Sequence, residues 1–135
     1  MFEITVEKDF AAAHRLREYD GNCEHLHGHN WKVEMTLGAH ELNELGLAID
    51  FRIAKKFLKD ALNVFDHKYL NDLELFEKVN PSCELIAKAI FDHVAGALRR
   101  DKSLATVFVS KVQVWESRVS SVTYSNRMNL PRDDR

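Results

Sequence analysis

Two runs of alternating residues flank the turn tripeptide Asp20-Gly21-Asn22, and together they constrain the fold more than any other feature. In the first run the even positions Phe2, Ile4, Val6, Phe10, Ala12, His14 and Leu16 are mostly apolar, while Glu3, Thr5, Glu7, Asp9, Arg15 and Arg17 between them are polar. In the second the odd positions His27, His29, Trp31, Val33, Met35 and Leu37 form the apolar set, against Asn30, Lys32, Glu34 and Thr36. A period of two is the mark of a strand with one buried face. Folding the chain at the tripeptide into an antiparallel hairpin sets His14 roughly opposite His27 and His29, all on the apolar face.

His27-Gly28-His29 fits only such a strand. On a helix, residues two apart point roughly 200° apart and cannot share an ion. Gly28 leaves the opposite face uncrowded. Neutral imidazoles on an apolar face need partners, and a metal ion supplies one. Three histidines with an open position suit a catalytic zinc site better than a structural site closed by four protein ligands. Iron, nickel or copper could use the same imidazoles. Cys23 precedes His27. A thiol beside a cation has a depressed pKa, and Cys23 is then a fourth ligand, a base or a nucleophile.

Two weaker signals lie elsewhere. Asp66-His67 places a carboxylate next to an imidazole, as in proton relays. Glu116 has the parity of Phe108, Val112 and Val114. It either ends its strand facing water or binds a planar group with two parallel N–H donors. His25, His40 and His93 show no convergence, and Asp9, Glu41 and Glu44 read as a solvated face.

The 135 residues suffice for one domain with a conventional core, spanning 1–135 with a polar, frayed tail after about residue 128. A formal charge of −2 gives no overall attraction to nucleic acid or anionic membrane. No apolar run approaches a membrane span, and the first residues carry no secretory pattern. With only Cys23 and Cys83, the expected setting is a reducing cytoplasm.

After a loop over residues 38–48, Asp50 caps a helix whose stripe is Ala54, Phe57, Leu58, Ala61, Leu62 and Phe65. Asn80-Pro81 opens a second helix, with proline near its first position and Arg99-Arg100 at its end. Two strands follow, from Leu104 to Glu116 and from Val119 to Asn126. The order ββααββ predicts an α+β fold: a four-stranded antiparallel sheet with both helices on one face. Its two open edges predict a homo-oligomer.

Six segments recur in order in one known family: Phe10 to Leu16, Cys23-x3-His27-Gly-His29-Asn-Trp, Ile49-Asp50-Phe51, Asp66 to Asp72, Asn80-Pro-Ser-Cys-Glu84, and Val112-Gln-Val-Trp-Glu116. Over residues 2 to about 126 the chain resembles the 6-pyruvoyl-tetrahydropterin synthase family. The three residues between Cys23 and His27 resemble its bacterial 6-carboxytetrahydropterin-forming branch, which serves queuosine biosynthesis.

The resemblance implies the tunnelling fold, oligomerising into a β-barrel, commonly a hexamer of two trimers with sites at subunit interfaces. It implies zinc on His14, His27 and His29, with Cys23 as general base. Asp66 and His67 become a relay, which a neighbouring subunit can deliver, and Glu116 anchors the pterin and is sometimes counted with the relay. Ser82-Cys83-Glu84 matches the pterin-holding segment, where the family usually has hydroxyls before the glutamate and this chain has Cys83. The implied substrate is 7,8-dihydroneopterin triphosphate, and Arg15, Arg17, Lys32, Lys68 and Arg127 are candidates to meet its phosphates. Two alternatives remain: a pyruvoyl-forming synthase that keeps the side-chain carbons, and a non-catalytic zinc-binding assembly protein.

Overall fold

The hairpin forms as its alternation predicts. The computed structural model describes residues 1–18 and 26–126, and of His27 only the backbone. The turn at residues 20–22, Cys23, His25, Arg127 and the tail lie outside the described residues. Strand β1 (Phe2–His14) runs antiparallel to β2 (His27–Ala39), with Phe10 opposite Trp31, Ala12 opposite His29 and His14 opposite His27. Even positions of β1 therefore share a face with odd positions of β2. Val6, Phe10, Trp31, Val33, Met35 and Leu37 are all buried there, each contributing about 1.5–3 kcal/mol by leaving water.

Helix α1 (Phe51–Leu62) begins at Asp50, whose carboxylate accepts from the Arg52 N–H, and buries Ala54, Leu58, Ala61 and Leu62. It packs against β1 and, almost as extensively, against the second helix. The longer helix α2 (Cys83–Arg100) lies against the last two strands and buries Ile86, Ala87, Ile90, Phe91, Val94 and Leu98. Pro81 is not inside this helix. Ser82 is the cap, its Oγ accepting from the Leu85 N–H, because a hydroxyl offers the acceptor that proline lacks.

The sheet has five strands, not four, and is mixed. Lys68–Tyr69 forms a two-residue strand, β3, parallel to β1, giving the order β3-β1-β2-β4-β5 with β4 (Val107–Ser117) and β5 (Ser120–Ser125). Two residues carry no period, so sequence alone could not reveal it. The remaining strand pairs are antiparallel and both helices lie on one face, as expected.

Strand β4 contains two bulges, which alternation alone does not reveal. Ser110 is an extra residue opposite the Thr36–Leu37 step. Val107 and Val109 are buried before it, and Val112 and Val114 after it, so the buried parity switches from odd to even. Phe108 therefore does not share a face with Val112 and Val114. It lies on the opposite face across Gly38, where an added Cβ would fall 2.5 Å from its ring. The second bulge is at Glu116 itself.

Candidate functional site

The site is built where the hairpin's apolar face runs out of hydrocarbon. His14 ends β1 and is 2% exposed. Its ring lies 5.2 Å from that of His29, and both stand edge-on to Trp31 at 4.9 and 5.2 Å. The Trp31 indole N–H donates to the Ala12 carbonyl at 3.2 Å, which fixes the ring against which both imidazoles rest. Across the sheet, the bulge at Glu116 aims its carboxylate into the same corner. Glu116 Oε1 is 3.1 Å from His14 Nε2 and 3.3 Å from His29 Nε2. The ligand atoms of His14, His29 and Glu116 all lie within 4.8 Å of one another. The backbone of His27 faces that of His14 across the hairpin.

The chemistry of these donors calls for a cation. His14 Nδ1 lies 2.9 Å from the Pro81 carbonyl, which can only accept, so Nδ1 carries a hydrogen. Nε2 is thereby turned toward the cluster. An imidazole lone pair facing a carboxylate oxygen needs a proton or a metal ion between them. Nitrogen and oxygen donors in this arrangement fit zinc, and a carbonyl on the far ring nitrogen is the usual companion of a ligating histidine.

Asp66 and His67 lie elsewhere, just before β3 on the edge of β1 that β3 pairs. The Asp66 carboxylate accepts the Ala11 N–H at 3.0 Å and sits 3.0 Å from His67 Nδ1, and the His67 N–H donates to the Ala11 carbonyl. The Ala11 N–H, and after it His67, hold the Asp66 carboxyl below its usual pKa. His67 has φ +59° and its side chain is 82% exposed. A non-glycine residue in the left-handed region, pinned by its own N–H on the Ala11 carbonyl and by the Asp66 carboxylate, is a conformation that tertiary structure enforces. The ring borders an opening lined by Ala11–Ala13, Gly28–Asn30, Lys68 and Tyr69.

Cys83 opens α2 and is buried, its thiol donating to the Val114 carbonyl at 3.4 Å. Burial, and then the charges of Glu116 and Glu84, push this thiol up to about 12. Glu84 is exposed in the helix's first turn. Of the cationic candidates, Lys32 is engaged by Glu34 at 3.2 Å and Glu7 at 3.5 Å and lies over the Trp115 ring. The Arg17 guanidinium is spent on three backbone carbonyls. Arg15 and Lys68 are exposed.

Sequence reasoning missed one contributor and gave another, Trp31, no part in the site. The Pro81 carbonyl carries no signal, since every residue has one. Trp31 was legible, because it shares the parity of His29 two residues away. Glu116 was placed on the correct face by a parity that included Phe108 wrongly, because the Ser110 bulge resets the alternation.

A five-stranded sheet backed by two helices, with histidines and a glutamate converging at one end of the hairpin, defines a tunnelling-fold protein with a candidate metal centre. A family model for 6-pyruvoyl tetrahydropterin synthase matches residues 3–127, and the chain belongs to that family. It is 34% identical over 102 residues to the 6-carboxy-5,6,7,8-tetrahydropterin synthase of Bacillus subtilis, covering 72% of this chain and 68% of that one. The Haemophilus influenzae protein of the same name is 29% identical over 147 residues, covering 92% and 99%. Among solved structures, Caenorhabditis elegans 6-pyruvoyl tetrahydropterin synthase superposes with a TM-score of 0.75 at 26% identity, covering 93% and 97%.

Proposed function

We infer that this chain is a 6-carboxy-5,6,7,8-tetrahydropterin synthase, a zinc-dependent lyase that converts 7,8-dihydroneopterin triphosphate and water to 6-carboxytetrahydropterin, acetaldehyde and triphosphate. The observation that carries this reading is the convergence of His14, His29 and Glu116, in a chain whose curated relatives bear that name. His27, whose backbone pairs with that of His14, is the third imidazole of the proposed set, which leaves Glu116 for the pterin. A zinc ion held there would lower the pKa of a substrate side-chain hydroxyl.

The protein's own groups do the rest. Glu116 accepts the two parallel N–H donors of the pterin edge, a strong charge-assisted pairing. Cys23 as thiolate takes the proton from the side-chain carbon next to the ring imine. The Asp66–His67 pair moves protons to and from the site. Its outward-pointing imidazole supports delivery to a neighbouring copy, within a homohexamer of two trimers whose sheets close into barrels. Glu84 and the start of α2 border the pterin, while the buried Cys83 thiol supports that segment by packing, through its bond to Val114. In this reading the enzyme acts in the cytoplasm, in queuosine biosynthesis.

Incubating the zinc-loaded protein with 7,8-dihydroneopterin triphosphate tests the assignment. Acetaldehyde and 6-carboxytetrahydropterin are the expected products. A pyruvoyl product without acetaldehyde would establish instead the activity named for the C. elegans neighbour. No turnover of the pterin by zinc-loaded oligomer would leave a metal-binding assembly protein.

A further inference from the structure

His14 Nδ1 meets the Pro81 carbonyl at 2.9 Å, and hydrogen bonds outside the cluster hold the residues on either side of that carbonyl. Beyond β1 the chain continues through Arg15 and Arg17, whose backbones are matched by two side-chain amides. Asn71 accepts from the Arg15 N–H at 2.9 Å and donates to its carbonyl at 2.8 Å. Asn80 does the same for Arg17, at 2.8 and 3.1 Å. These amides extend the pairing that β3 begins. The Arg17 side chain then turns onto the same segment. Nη1 donates to the carbonyls of Phe76 and Val79, at 2.8 and 3.1 Å, and Nη2 to that of Asn71 at 3.1 Å. Residues 79 and 80 are thus pinned immediately before Pro81, and the Ser82 cap pins the chain immediately after it.

We propose that Arg17, with Asn80, is a positioning residue for the metal centre: it fixes the Pro81 carbonyl that sets the tautomer and ring direction of His14. This rests on the reading of His14 as a metal ligand. A guanidinium suits the task, because its planar fork reaches several carbonyls at once and carries no acceptor. The same commitment removes Arg17 from the cations available to a phosphate.

The test uses full-length protein stripped of metal, titrated with Zn²⁺ alone against a competing chelator, and with Co²⁺ for its d–d absorption. Arg17→Met should weaken zinc about 10- to 100-fold, the range for lost partners of ligating histidines, and alter the cobalt spectrum. Arg17→Lys should also bind weakly, since one ammonium cannot span three carbonyls. Should Arg17→Met fold poorly, Asn80→Ala removes one amide pair only and should weaken zinc by a smaller factor. Lys88→Met, which removes a surface pair on α2, should leave zinc binding unchanged. Wild-type zinc affinity in Arg17→Met, in Arg17→Lys, or in Asn80→Ala would overturn the proposal. His14→Ala separates the two levels. If it retains zinc, the ligand assignment fails; if it loses zinc while Arg17→Met does not, only the clamp fails.

Discussion

Two histidines of this chain sit in opposite circumstances. His14 is buried, with a carbonyl on one ring nitrogen, a carboxylate near the other and an indole nearly perpendicular beside it. His67 is exposed, carried on a left-handed backbone and oriented by a single carboxylate. The first has its proton assigned and its direction set, as a metal ligand requires. The second keeps access to solvent and to other molecules, as a proton carrier requires. In the proposed function, the buried side of this contrast is the part that holds the cation and the exposed side is the part that moves protons.

The sharpest way to break this contrast is at the buried end. His29→Ala should abolish stoichiometric zinc and with it turnover, measured by metal analysis and acetaldehyde release; a variant that kept its zinc would remove His29 from the centre. Next in size, His67→Ala should retain full zinc while losing about 10²- to 10⁴-fold in kcat, the usual worth of a general acid or base. Metal loss in His67→Ala would show that the two regions are one.

The third effect is thermodynamic and concerns the buried corner, where Cys83 lies within the field of Glu116. Its folded pKa of about 12 exceeds the ordinary value of 9.0, so the folded state keeps the thiol's proton longer than the unfolded chain does. The associated stability is complete below pH 9 and is lost as pH rises from about 9 towards 12. It amounts to at most about 4 kcal/mol at about 1.4 kcal/mol per unit. Denaturant melts should therefore show Cys83→Ser losing less stability than wild type across that window. Parallel alkaline curves would mean the thiol is not held neutral by burial.

The smallest effect is at the exposed end. His67→Gly removes a left-handed strain of about 1 kcal/mol, offset by glycine's greater unfolded freedom. Its melting temperature should stay within a few degrees of wild type, while activity falls as in His67→Ala. A large loss of stability would show that the ring, and not only its backbone, supports the edge of β1.

Much of this was legible before any coordinates. Alternation about residues 20–22 gave the hairpin register, which put His14 and His29 on one face, because a strand's period admits only two choices. Asp50 as cap and the stripe Ala54, Leu58, Ala61 and Leu62 were readable for the same local reason, while Phe65 falls beyond the end of α1. Legibility failed where geometry is non-local. The two-residue β3 exists because β1 has a free edge to complete. The Ser110 bulge exists because β4 must fit β2, and it moved Phe108 to the face opposite the one its parity indicated.

By itself the sequence determined which side chains of the hairpin alternate, which face they share and where α1 begins, since these follow from backbone periods and caps within a few residues. Tertiary structure alone decided that Glu116 meets two imidazoles more than eighty residues away in the chain, that the Pro81 carbonyl meets the His14 ring, and that the Arg17 guanidinium meets three carbonyls. Those outcomes depend on distances between segments that no local pattern encodes. They are resolved only when buried polar groups must find partners during packing.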